Sequence, residues 1–304
     1  MFVTNAGATG GMMGGQPRAS LPRPSRRRWL RSAAGALLAG GLGLFTRCVH
    51  AAEQSTSSRQ AREEAVAALP LDKLNEAAQQ KILAVVERPS IYRRMPEKVV
   101  ACDTGMYLFL LRNPEIVLNI WQLMGVAGMT AQRTGAYTWK GNDGAGTLCN
   151  VELAYGTSEL HVAYGEGYYE GPLFKRRING RCVVMLRSEF RQGEDGREYI
   201  GNVLDVFLAI DNAGADLVAK TLYPLVGKTA DTNFTETTRF FAKVSQTAEA
   251  NGTGMQRLAA RLTGCDAQVR DQFVQVSAAV QQKAVARASG AVGPTANRPG
   301  GQMR

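Results

Sequence analysis

Between Trp139 and Glu170 the chain gathers side chains able to hold or act on a ligand: Trp139, Tyr155, His161, Tyr164, Glu166, Tyr168 and Glu170, the last five within "HVAYGEGYYEG". Tyrosine and tryptophan give a pocket apolar surface with one polar handle each. Glu166 and Glu170 beside an imidazole could move protons in a hydrolysis. The same residues also suit the edge of a core, with Gly165, Gly167 and Gly171 bending a strand. His161 is the one histidine beyond residue 50, so any Ser-His-Asp or Cys-His mechanism must use it, and a histidine-rich metal site is excluded. In an alternating strand it reads as a hydrogen-bonded structural imidazole. Cys102, Cys149, Cys182 and Cys265 lack the paired close spacing of zinc, haem or iron–sulfur ligands, so no cofactor is expected. They can be disulfides, in three connectivities, or buried apolar filler.

"VVACDTGM" and "GKT" carry other chemistry. Asp103-Thr104-Gly105 resembles the Asp-Thr-Gly of aspartic proteases, in which two such loops share a proton between their carboxylates. One copy is present, followed by Met106 instead of a small residue, and an N-cap for the following helix explains Asp103 fully. Gly227-Lys228-Thr229 ends like a phosphate-binding loop, but Leu222 stands in the place of its first glycine and helix precedes it.

The hydrophobic pattern supplies the frame. Arg59–Leu69 and Leu71–Val86 read as helices parted by Pro70, and Glu97–Cys102 as a short strand. A helix capped by Asp103 follows, then one opening at Asn113-Pro114 and carrying Ile116, Val117, Ile120, Leu123 and Met124 to Gly125. Alternation takes over at Gln132–Lys140 and Thr147–Tyr155, joined by "GNDGAG", and continues in Glu159–Glu166. Asn179-Gly180 reads as a two-residue hairpin turn between Leu173–Ile178 and Arg181–Phe190. Gly193–Gly196 turns into Tyr199–Ile210. Helix returns at Ala213–Val226, is broken by Pro224 and Gly227, and resumes behind Asp231 to Glu249. Two further helices follow, near Met255–Leu262 and Ala267–Ala286, and the tail from Ser289 is Gly/Pro-rich.

This is an α+β chain, with an antiparallel meander of about six or seven strands packed on C-terminal helices and extra helices at both ends. The expected divisions are 1–51, 52–96 (helical), 97–250 (the α+β core), 251–288 (helices) and 289–304 (tail). Over residues 97–250 the element order resembles the helix-grip fold of the START and polyketide-cyclase-like superfamily. That resemblance implies a curved sheet wrapped around the long helix, with an apolar cavity between.

The first 51 residues hold seven Arg and no Lys, Asp or Glu. Ser32–Phe45 is a run of Ala, Gly and Leu too short to span a bilayer, and Val49-His50-Ala51 suits a signal peptidase. Ser25-Arg26-Arg27-Arg28-Trp29-Leu30-Arg31 resembles the twin-arginine export signal, which implies a bacterial protein handed folded to the twin-arginine machinery and cut near Ala51. The 24 residues ahead of Ser25 leave Met12 or Met13 as alternative starts. The formal charge of +10 is largely this segment and the tail: residues 52–286 hold 26 basic and 26 acidic side chains. No nucleic-acid partner is therefore indicated, and no apolar run of membrane length follows the signal.

Three functions fit: an extracytoplasmic protein binding a small or lipidic ligand between sheet and helix, a non-catalytic interaction module of the cell envelope, or a hydrolase working through Glu166, Glu170 and His161.

Overall fold

The computed structural model of the chain describes residues 55–126, 128–172, 174, 176–211 and 215–290, without the side chains of 215–229. The export-signal residues Ser25 to Arg31 and most of the Gly/Pro-rich tail lie outside these.

Helices α1 (Arg59–Ala67) and α2 (Glu76–Val86) come first, then strands β1 (Ile91–Arg94) and β2 (Lys98–Ala101), then helices α3 (Thr104–Arg112) and α4 (Pro114–Leu123). The meander is β3 (Thr130–Gly135), β4 (Thr138–Asn142), β5 (Thr147–Gly156), β6 (Leu160–Tyr169), β7 (Ile178–Gln192) and β8 (Glu198–Ile210). Helices α5 (Ala215–Ala250), α6 (Gly252–Arg261) and α7 (Ala267–Ala288) close the chain. All eight strands form one antiparallel sheet in the order β1-β8-β7-β6-β5-β4-β3, with β2 pairing β8 beyond β1. The α+β architecture expected from the pattern is the one observed.

Local chemistry explains several boundaries. The Asp103 carboxylate accepts from the Met106 N–H at 2.9 Å and caps α3. Pro114 occupies the first turn of α4, where its missing N–H costs nothing. Asn113 makes no side-chain cap there; its amide donates to the Phe109 carbonyl and its oxygen accepts from Arg133. In "GNDGAG" the Asp143 Oδ1 accepts from the N–H groups of Ala145 and Thr147, at 2.7 and 2.8 Å, while Gly144 and Gly146 take φ of 70° and 114°. Only glycine adopts such angles without strain.

Two expectations are corrected. Asn179-Gly180 is no turn: both residues lie inside β7, paired with Tyr168 and Gly167, so the β6–β7 connection falls at residues 170–177. Gly180 faces Gly167 because the strands need bare backbone there, the position a side chain on Gly167 would take lying 2.2 Å from the Leu148 carbonyl oxygen. The second correction is α5, which runs unbroken through Pro224 and Gly227. Breaking propensities of about 1–3 kcal/mol are smaller than what its later turns gain by packing. Phe241, Val244 and Ala248 join Met106, Tyr107 and Leu110 of α3, Ile116 and Ile120 of α4, Met255 of α6, Phe273 of α7 and Ile200 of β8 in the largest core. Each such side chain is worth about 1.5–3 kcal/mol when fully buried.

The sheet has a layer on each face. On one, α1 and α2 cover Tyr92, Val162, Tyr164, Val183, Met185, Phe207 and Ala209. Segment 52–96 thus supplies a strand and a layer to the fold and is not a separate appendage. On the other, Ala230 and Phe234 of α5 pack with Leu186, Leu204 and Val206, and its later residues with Ile200. The helix therefore runs antiparallel to β8, and its first half, about 22 Å long at 1.5 Å per residue, returns toward the Ile210 end of the sheet.

Candidate ligand-binding face

Side chains of a strand alternate between faces, and the register decides which sequence-selected residues meet. On β6, His161, Ala163, Gly165 and Gly167 point toward the α5 side; Val162, Tyr164, Glu166 and Tyr168 point toward the α1–α2 side. Tyr155 joins the second group, because a bulge between Leu153 and Tyr155 shifts the β5–β6 register. Trp139, opposite Val151, belongs to the α5 side. The seven candidates are therefore parted by the sheet itself and form no single site. Glu166 and His161 project from opposite faces and cannot share a proton path.

Tyr164, Glu166, Tyr168, Glu170 and Trp139 have local partners. Tyr164 is buried and donates to Glu166 Oε2 at 3.1 Å; burial first, then Glu166, pushes its pKa up to about 12. Arg177 covers the Tyr168 ring at 4.0 Å and donates to Glu170 at 2.8 Å on the surface. The Trp139 indole N–H donates to Glu115 Oε2 at 2.8 Å, and Arg133 Nε to the other oxygen at 2.7 Å. Glu115 is 2% exposed, so this cluster neutralises a buried carboxylate and pins α4 to the β3–β4 hairpin.

The α5 face carries what the sequence reading passed over. One row across it is Gly141, Cys149, Gly167 and Gly180; the next is Trp139, Val151, Gly165 and Cys182. Four of these eight positions have no side chain. A Cβ on Gly165 would lie 2.8 Å from Cys182 Sγ, and one on Gly141 3.0 Å from Cys149 Sγ, so both thiols lean over bare backbone. Around them Val151, Leu153, Ala163 and Val184 are only half-buried; on β6 and β7 the alternates on the other face, Val162, Val183 and Met185, are fully covered. The floor on this face is thus apolar, low and incompletely covered by described residues. Period-two glycines at 165 and 167, each standing opposite a cysteine of a neighbouring strand, were the available signal.

All four described cysteines are free thiols, so none of the three disulfide connectivities is formed. Burial raises the pKa of Cys149 and Cys182 and that of Cys102 to about 12. They are protonated, weakly polar surface, not nucleophiles.

His161 closes one end of this floor. It is 4% exposed, its Nε2 accepts from Arg112 Nε at 3.2 Å, and its Nδ1 is buried without a partner. Burial, then the Arg112 charge, pushes its pKa down to about 4, so the ring is neutral at pH 7. Arg112 is fixed in turn by the Thr157 carbonyl at 2.8 Å.

Two open clefts occur elsewhere, one of about 220 Å³ at Lys98 and Asp231 and one of about 330 Å³ at Arg62 and Ser90. Among the described residues, no three His, Cys, Asp or Glu side chains gather as metal ligands, and no helix is long and apolar enough to cross a membrane.

No protein-family model matches the chain, and no curated protein is similar to it. Among solved structures, a hypothetical protein from Helicobacter pylori is similar at 12% identity, over 45% of this chain and 81% of that one, with a TM-score of 0.28; a likeness that low carries no argument.

Proposed function

We propose that the protein is an exported, non-catalytic binding protein that holds a small or lipidic ligand between the sheet and the first half of α5. The observation that carries this is the glycine-floored stretch around Cys149 and Cys182, where Val151, Leu153, Ala163 and Val184 stay half-buried while Val162, Val183 and Met185, on the other face of β6 and β7, are fully packed. Burying one more aliphatic side chain's worth of that surface is worth about 1.5–3 kcal/mol, a direct incentive for an apolar guest. Neutral thiols, a neutral imidazole and scattered, locally paired carboxylates favour binding over catalysis. Native mass spectrometry of the processed protein from its host's periplasm tests the reading. An adduct of a few hundred daltons, lost on unfolding, is the expected result; a bare chain starting at Ala52 that also takes up no apolar probe would overturn it.

A second reading, an interaction module of the envelope, draws on Leu123, Met124 and Val126. These are 36%, 59% and 60% exposed at the end of α4, beside the free edge strand β3. A stable oligomer or co-purifying partner in the same spectra would favour it.

A further inference from the structure

We infer that His161 recognises the polar end of the ligand, donating from Nδ1 to an acceptor oxygen of the carbonyl type. The inference rests on the binding reading above and adds the ligand's chemistry to it. A neutral imidazole carries one proton. Nε2 accepts from the Arg112 guanidinium, which has no lone pair to offer, so Nε2 is the bare nitrogen and Nδ1 bears the hydrogen. That N–H is buried and unpaired, a state that costs about 1–3 kcal/mol unless something accepts from it. The ring also has a direction. Its Cδ2–Nε2 edge lies over Gly156 of β5, whose side-chain position is 3.4 Å from Cδ2 and 3.7 Å from Nε2. Nδ1 therefore looks the other way, over β7, where Val184 and Leu186 stand opposite Ala163 and His161. Leu186 is buried with Phe234, and the half-buried floor begins at Val184, the next position along on this face. An apolar body lying on Val151, Gly165 and Val184 brings one end to this nitrogen, and only an acceptor satisfies it. Arg112 holds the tautomer, and burial, then the Arg112 charge, keeps the ring neutral.

Acetophenone and ethylbenzene, near-isosteres with and without a carbonyl oxygen, serve as probes against the processed protein and its His161→Phe and His161→Gln variants. Wild type is expected to bind acetophenone about five- to tenfold more tightly than ethylbenzene, the ordinary worth of one neutral hydrogen bond. The ratio falls to about one in H161F and recovers in part in H161Q, whose amide can donate. Long-range proton–nitrogen spectra of histidine-labelled wild type are expected to show the Nδ1–H tautomer from pH 5 to 8, with Nδ1 shifted by acetophenone and not by ethylbenzene. This decides the matter even if H161F does not fold. An Nε2–H tautomer, or equal binding of the two probes by wild type, overturns the role of His161 and leaves the binding reading standing. Failure of both probes to bind overturns the two together.

Discussion

Asp205→Asn is expected to cost the fold about 3–5 kcal/mol, because Asp205 is the centre of a charge cluster under the α1–α2 layer. Asp205 is 0% exposed. Its Oδ1 accepts from Arg94 Nε at 2.8 Å and from the Tyr92 hydroxyl at 2.7 Å, and its Oδ2 from Arg187 Nη2 at 2.8 Å. Arg94, itself 6% exposed, also donates to Glu64 Oε2 and to the Ala61 carbonyl, both at 2.9 Å, which ties α1 to the sheet. An asparagine keeps the shape but removes the charge, and its amide points an N–H group at one of two guanidinium groups whichever way it is turned. Removing one partner of a buried ion pair costs about 3–5 kcal/mol, a large share of the roughly 5–15 kcal/mol that a domain commands. Urea unfolding followed by far-ultraviolet circular dichroism reads the loss as a midpoint lowered by about 1 M or more. Crossing the change with Arg94→Met isolates the pair: the double variant is expected to lose at least about 1 kcal/mol less than the sum of the singles. A D205N cost below about 1 kcal/mol, or strict additivity with R94M, would refute the reasoning, since Arg94 would keep only the half-exposed Glu64 as counter-charge and lose its buried one.

The remaining predictions are smaller. The folded pKa of His161, about 4, lies below its ordinary 6.5, so the native ring binds fewer protons than the unfolded one between these values. Stability from this residue is complete above pH 6.5 and falls by up to about 1.4 kcal/mol per unit as pH drops toward 4; urea midpoints at pH 7 and pH 5 should show a decline that H161F reduces. Gly167→Ala is expected to cost more than Gly165→Ala. The first drives a methyl against the Leu148 carbonyl and the Cys149 backbone, the second meets the movable Cys182 thiol, and overpacking of the first kind costs about 1–3 kcal/mol. Cys102, Cys149 and Cys182 should be alkylated by iodoacetamide far more slowly at pH 7.5 in the native protein than in urea, as counted by mass, because burial raises their thiol pKa values. Replacing Arg26 and Arg27 by lysine should stop export, leaving uncut chain in the cytoplasm on fractionation.

What the pattern made legible was whatever depends on a few consecutive residues. The Asp103 cap, Pro114 in the first turn of α4, the Asp143–Gly146 turn and the alternation of β5 and β6 each have a local cause that a sequence states outright. β1 has no such local cause: it is four residues with two arginines, and only pairing with Leu208 to Asp205 makes them a strand. The Asp205 cluster joins side chains more than 100 residues apart, which no period reveals. Asn179-Gly180 is a strong turn signal taken alone, yet pairing along the whole length of β7 outweighs a local preference.

The candidate site turned on a smaller quantity, a single residue of phase. Tyr164, Glu166 and Tyr168 attract notice because they are large and polar, and His161 stands three residues before the first of them. An odd separation along a strand puts two side chains on opposite faces, and the bulge after Leu153 moves Tyr155 across as well. The conspicuous residues thus face α1 and α2, where they find partners of their own, while the face under α5 is marked by what is missing: glycines at 141, 165, 167 and 180, and thiols small enough to lean over them. A sheet face that is apolar, low and half-covered by the described residues, next to a buried nitrogen with nothing to bond, is a better sign of a guest than a row of tyrosines already engaged. The odd spacing between His161 and Tyr164 contained that distinction from the start, and only the register could say which side was the occupied one.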